Sequence, residues 1–93
     1  MKREKLLDKI RQNTKNVSFG DLQTLLENYG FALKRVRGSH HVFSGLIGDQ
    51  RVRLVVPFHR PFVKEAYVKE ALDLIDSINR LKEAGTNADS ENA

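Results

Sequence analysis

The spacing of apolar residues changes period twice along this chain. Leu6, Leu7 and Ile10 fall on one side of a short helix predicted over residues 2–11, and the stretch 12–17 reads as a turn. Ser18 is a good N-cap, with Asp21 three residues on to complete a capping box. Phe19, Leu22, Leu26 and Tyr29 then recur at spacings of three and four, which lays one apolar face along a second helix. Gly30 ends it as a glycine just past a helix C-terminus does.

From there the period drops to two. Residues 31–37, 41–47 and 51–57 are short, rich in β-branched and aromatic side chains, and separated by Gly38-Ser39 and Gly48-Asp49-Gln50. In the third of these segments Val52, Leu54 and Val56 alternate with Arg51 and Arg53, so the arginines stand on the face opposite the core. Connections this short predict an antiparallel three-stranded meander. Residues 57–61 break the regularity. A helical period returns from about Val63, with Tyr67, Ala71, Leu74, Ile78 and Leu81 on one stripe. Gly85 closes that helix, and 86–93, small and polar, reads as a disordered tail. The order α-α-β-β-β-α makes an α+β fold, a small three-stranded antiparallel sheet with helices on one face. We expect a single domain over 1–85, in which 1–16 forms an N-terminal helical extension.

Composition narrows the possible chemistry. Ninety-three residues leave room for one modest core. No apolar run approaches the roughly twenty residues of a membrane span. The opening Met1-Lys2-Arg3-Glu4-Lys5 is not followed by the apolar segment of a signal peptide, so the expected location is cytoplasmic, with no membrane partner. Cysteine is absent, which excludes thiol catalysis, disulfides and cysteine-based zinc sites. The net charge of +4 is unevenly spread. Between Lys34 and Lys64, Lys34, Arg35, Arg37, Arg51, Arg53, Arg60 and Lys64 are opposed by Asp49 alone. Such a concentration attracts a phosphate backbone. The alternative is a solvated basic face with no partner.

The stretch RVRGSHHVF, residues 35–43, holds two of the three histidines side by side. Neighbouring strand side chains point to opposite faces, so His40 and His41 are poorly placed to share a ligand or a proton. One should face the open side of the sheet and the other the helices or the edge; periodicity does not say which, because Val42 and Phe43 both suit a core. Zinc needs three or four converging ligands, which His40, His41 and His59 do not provide, so we expect no metal. Ser39 and His40 are sequence neighbours rather than a nucleophile and base brought together by folding. Acid–base work by a single imidazole fits better. An RNA strand carries its own nucleophile, the 2′-hydroxyl. Cleavage then needs a base for that proton, an acid for the leaving 5′-oxygen and positive charge for the phosphorane oxygens, with no cofactor. A histidine, with an ordinary pKa near 6.5, suits either proton role. From spacing alone the other reading stays open, that His40 caps the turn or packs at the sheet edge.

Gly38-Ser39-His40-His41-Val42-Phe43, preceded by Tyr29-Gly30-Phe31 at the end of a capped helix, resembles the HicA toxin family over about residues 19–78. The resemblance implies a fold like that of double-stranded RNA-binding domains. It also implies the activity of a metal-independent mRNA endonuclease, the toxin of a toxin–antitoxin system acting in stress responses, neutralised by a HicB-type antitoxin. On that resemblance His40, the first histidine after the glycine-serine, is the essential one. Ser39 would orient it or the phosphate, and Gly38 completes the motif. His41 ranks second and joins Gly38, Arg35, Arg37, Arg51, Arg53, His59 and Arg60 as candidates for RNA binding. Two features depart from the family pattern. Many members lack the first helix, and the usual valine-proline-histidine is interrupted by Phe58 in Val56-Pro57-Phe58-His59-Arg60, which leaves His59 either in the site or on a surface loop. Two rival functions remain: a non-cleaving RNA-binding module on the same fold, and a protein-interaction domain whose basic face meets an acidic partner.

Overall fold

The computed structural model describes residues 3–92, with side chains described over residues 4–83. Helix α1 (Arg3–Gln12) and helix α2 (Phe19–Asn28) precede strands β1 (Ala32–Arg37), β2 (His40–Ile47) and β3 (Gln50–Pro57), and helix α3 (Glu65–Asn92) follows. This is the α+β order that the periodicity predicts.

Local chemistry fixes the ends of α2. Ser18 is extended, and its hydroxyl accepts the Asp21 N–H at 3.1 Å. Only this half of the capping box is made; the Asp21 carboxylate instead pairs with Lys9 of α1 at 3.2 Å. At the other end Gly30 adopts φ +88°, and the amides of Gly30 and Phe31 turn back to the Glu27 and Leu26 carbonyls. Leu22, Leu25 and Leu26 face inward and are completely buried.

The sheet is antiparallel in the order β1-β2-β3. Both hairpins are two-residue turns, Gly38-Ser39 and Gly48-Asp49, in which only the glycine has positive φ, +56° and +60°. That is the backbone of a type II′ turn, whose twist matches the strands it joins. Across β2 and β3, His41 lies opposite Val56, Phe43 opposite Leu54 and Gly45 opposite Val52. These residues form the face turned to the helices, with Phe43, Leu54 and Val56 at its buried centre.

Gly45 has a packing reason to be glycine. A Cβ built there would come within 2.8 Å of the Phe31 ring, which lies against the strand just beyond the end of α2. The close approach ties the α2–β1 connection to the middle of the sheet.

In the helical layer α1 packs on α2, α2 on α3, and α3 on β2. Leu6, Leu7 and Ile10 of α1 are buried in the same cluster as Leu25, Phe43 and Ile75, so the N-terminal segment is part of the core and not an appendage to it. Arg11 bonds Asp76 of α3, Thr14 donates to Glu65 at the start of α3, and the Val63 N–H donates to the Val17 carbonyl at 2.8 Å. The stripe on α3 is rotated from the predicted one. Val68, Ala71, Leu72, Ile75 and Ile78 are buried, whereas Tyr67 and Leu74 are half-buried and Leu81 is 50% exposed. Both stripes are helical sets sharing Ala71 and Ile78, and contact with β2 and α2 selects the inner one. The tail expected at 86–93 falls where side chains lie outside the described residues; the backbone continues α3 through Gly85 to Asn92.

Replacing Gly45 by alanine should overpack the Phe31 contact and destabilise the fold by about 1–3 kcal/mol. The change would be read as a lower urea midpoint at unchanged slope. The Thr14 hydroxyl holds the Glu65 carboxyl below its ordinary pKa, helped by Lys69 and Lys15 and opposed by desolvation. A depressed carboxylate stabilises the fold above its unfolded pKa, and that contribution disappears as pH falls through the folded value. Thr14→Val should therefore move the Glu65 pKa upward in an NMR titration of its carboxyl carbon, and an unchanged value would discount the bond.

Candidate nucleic-acid interface

Because helices cover only one side of the sheet, the alternation of β2 sends its side chains to two different environments. His41, Phe43 and Gly45 turn toward the helices, and His40, Val42 and Ser44 toward the open face. The two histidines are thereby told apart, as periodicity alone could not do. His40 is exposed between its cross-strand partners Arg37 and Pro57, and its side chain makes no hydrogen bond, ion pair or ring contact with any described residue. His41 is half-buried on the other side.

The open face is basic by construction. On β3, Arg51 and Arg53 point outward while Leu54 and Val56 are buried, as the alternation predicts. On β1 strict alternation would send Arg35 inward. A bulge prevents this: Leu33 pairs with Phe43 and Arg35 with Val42, leaving Lys34 as the extra residue. The register slip turns both Arg35 and Arg37 to the open face. Lys34, Arg35, Val42, Ser44, Arg51 and Arg53 line a shallow depression of about 390 Å³ there. Arg51 donates to the Ser44 hydroxyl at 3.2 Å, which braces one guanidinium over the strand. Among the described residues, the ion pairs join Lys9 to Asp21, Arg11 to Asp76 and Lys69 to Glu65; no carboxylate neutralises a cation of this face.

On the helix side, at the same end of the sheet, three aromatic rings surround one another. The His41 ring centroid lies 4.5 Å from that of Phe19 and 6.1 Å from that of Phe58, and the two phenylalanines are 5.2 Å apart. The His41 Nδ1 is 3.0 Å from the Ser39 carbonyl oxygen. A carbonyl can only accept, so Nδ1 carries the proton and Nε2 of the neutral ring keeps its lone pair. The same carbonyl accepts the Phe58 N–H at 2.6 Å. Ser39 thus orients the imidazole through its backbone, while its hydroxyl has no hydrogen-bond partner among the described residues.

His59 sits in the loop after β3 and is held in the same tautomer, Nδ1 to the Phe62 carbonyl at 2.8 Å. It lines a cleft of about 280 Å³ with Ser18, Phe19, Gly20, Phe58, Arg60 and Pro61. The Arg60 guanidinium lies 5.5 Å from the centroid of the Phe58 ring.

The candidate residues therefore divide. His40, Arg35, Arg37, Arg51 and Arg53 belong to the open face; His41, His59 and Arg60 gather around Phe19 and Phe58, with Gly38 and Ser39 forming the turn where the faces meet. Sequence reasoning missed three contributors. Phe19 looks like an ordinary core residue of a helical stripe, and Phe58 like an interruption of a motif, although an exposed aromatic directly after a strand-ending proline was a usable signal. Ser44 gains its place from one hydrogen bond, which leaves no local pattern; Lys34, already named in the basic span, gains its position from the bulge. Among the described residues no group of three or more His, Asp or Glu converges as metal ligands would.

An open face of unpaired cations should bind a polyanion with strong salt dependence. Arg51→Gln combined with Arg53→Gln should flatten the slope of log K against log salt for single-stranded RNA by about 0.7 for each phosphate no longer neutralised. Fluorescence anisotropy at several salt concentrations measures it, and the same slope in the double variant would remove this face from the binding surface.

A family model described as the HicA toxin of bacterial toxin–antitoxin systems matches residues 19–85, a span that runs from the start of α2 into α3 and leaves α1 outside. Comparison with curated proteins and with solved structures finds no match.

Proposed function

The chain belongs to the HicA toxin family of bacterial toxin–antitoxin systems, and from that membership we propose that it is an endoribonuclease that cleaves mRNA, held inactive by a HicB-type antitoxin. The phosphate chain lies on the cations of the open face, and proton transfer is the work of imidazole. No metal is needed for this chemistry, because the RNA brings its own nucleophile and Arg60, over the Phe58 ring beside His41, can supply charge for the phosphorane oxygens.

The observation that carries the reading is the oriented His41 ring, whose Nδ1–H donates to the Ser39 carbonyl and so leaves Nε2 as the nitrogen available for proton transfer. A general base needs a lone pair fixed in direction, and this is the arrangement that provides one. His40 is the residue singled out by resemblance, but its ring has no partner to fix it, and it stands beside Arg37 on the open face. We therefore assign the 2′-hydroxyl proton to His41 and a place against the phosphate chain to His40. The 2′-oxygen attacks phosphorus, the bond to the 5′-oxygen breaks, and that oxygen takes a proton from a protonated imidazole. His59, which shares the Phe19–Phe58 wall with His41, is our candidate for that donor. The alternative, a non-cleaving RNA-binding module, draws its support from the same four-cation depression, which requires no histidine.

Induced expression with parallel cleavage of labelled RNA separates these readings. His41→Ala should lower the cleavage rate by about 10²–10⁴-fold and relieve growth arrest, with RNA affinity changed only a few-fold. His40→Ala should weaken binding more than turnover. If His40→Ala abolishes cleavage and His41→Ala spares it, the base is His40; wild-type protein that binds RNA without producing a cleaved band supports the binding module instead.

A further inference from the structure

We propose that the cleft between the first turn of α2 and the loop after β3 receives one unpaired RNA base, so that the substrate is single-stranded where it is bound. The proposal deepens the nuclease reading, on which its placement beside His41 rests.

The walls are what a base stacks on. Phe19 and Phe58 line the cleft with Pro61, and the Phe58 ring is 39% exposed. The Phe58 N–H donates to the Ser39 carbonyl, which fixes the backbone at the cleft, and the ring's neighbours are Phe19, His41 and the Arg60 guanidinium. A base held there sits one aromatic ring away from the His41 imidazole, since Phe19 both lines the cleft and lies against His41.

The floor is open. Gly20 contributes only backbone, and a Cβ added to it would meet nothing within 4 Å. The cleft also has the sign a nucleotide requires. Arg60 lies over Phe58 at 5.5 Å, no acidic side chain is among the lining residues, and Arg60 pairs with no carboxylate among the described residues. A charged rim around aromatic walls accommodates a π-face with its phosphate, which an acidic or apolar protein segment does not supply in that combination.

The consequence runs against the likeness to double-stranded RNA-binding domains that the family resemblance implies. Those domains read the shape of an A-form duplex across its minor groove, where the bases stay stacked on one another. A base can enter this cleft only once it has left the stack. Stacking on aromatic side chains is tolerant of sequence, because every base presents a π-face.

The test uses single-stranded 2′-O-methyl RNA carrying 2-aminopurine, which cannot be cleaved by the 2′-hydroxyl route. Wild-type protein should quench the 2-aminopurine at one position of the oligonucleotide and bind the matched duplex more weakly. Gly20→Leu, whose side chain would project into space that is now empty, should lose the quench and at least about fivefold in affinity. Phe58→Ala should behave like Gly20→Leu, with Phe58→Trp restoring the signal, and thermal unfolding of each variant confirms that the fold is retained. Unchanged affinity and quench in folded Gly20→Leu, or equal affinity for single strand and duplex, overturns the proposal and leaves the cleft to a protein partner. The readout does not depend on chemistry: a quench without cleavage of ordinary RNA refutes the nuclease alone, and undiminished cleavage by Gly20→Leu refutes the base slot alone.

Discussion

A sheet covered on one face obliges each strand residue to lie either against the helices or toward water, and a change of register by one position reverses that choice for every residue beyond it. The candidate nucleic-acid surface of this protein follows from that constraint. It parts two adjacent histidines, sending His41 to the helices and His40 to the open face. It also explains why the bulge at Lys34 matters more than any single cation. With strict pairing from Leu33 onward, Lys34 would lie opposite Val42, Arg35 opposite His41 on the helix side and Val36 opposite His40 on the open face. One unpaired residue in an edge strand therefore puts both Arg35 and Arg37 on the open face.

A second constraint acts at the end of the sheet. The Ser39 carbonyl, at the second position of a two-residue turn, accepts both the His41 ring N–H and the Phe58 amide. The two donors come from the strand after the turn and from the loop beyond β3, so a single oxygen fixes the tautomer of the imidazole and the position of the ring beside it. Gly38, with φ +56°, lets the turn be this tight. The glycine-serine that precedes the histidines is thus explained by backbone geometry: the glycine shapes the turn, and the serine's working atom here is its carbonyl oxygen.

Much of the fold was legible from the sequence. Period two and period 3.6 separate cleanly, Ser18 and Gly30 mark the ends of α2, and Val52, Leu54 and Val56 alternate with arginines through β3. What was not legible depends on contacts across the molecule. Two overlapping stripes on α3 are equally periodic, and only packing on β2 and α2 selects the one through Val68 and Ile75. The bulge at Lys34 leaves no local trace because a lysine fits a strand or a bulge equally well. The glycine-serine-histidine motif pointed to the candidate site, but a motif read along the chain cannot report which of two neighbouring rings is held by a carbonyl and which is free. The first helix looked like an extension, yet its three apolar residues fill the same core as the sheet's own.

The division into two faces sets a requirement on any RNA that uses both. The cations of the open face and the His41–Phe58 cluster lie on opposite sides of β2, so a strand touching both must pass around the sheet's end. That end is the Gly38-Ser39 turn, where the chain is thinnest and His40 and Arg37 pair at the rim. A flexible single strand can make such a turn, whereas a duplex, with a persistence length of about 150 base pairs for DNA, resists bending on this scale. The geometry of the sheet's end and the aromatic cleft beside it thus favour the same form of nucleic acid for independent reasons, one mechanical and one based on stacking.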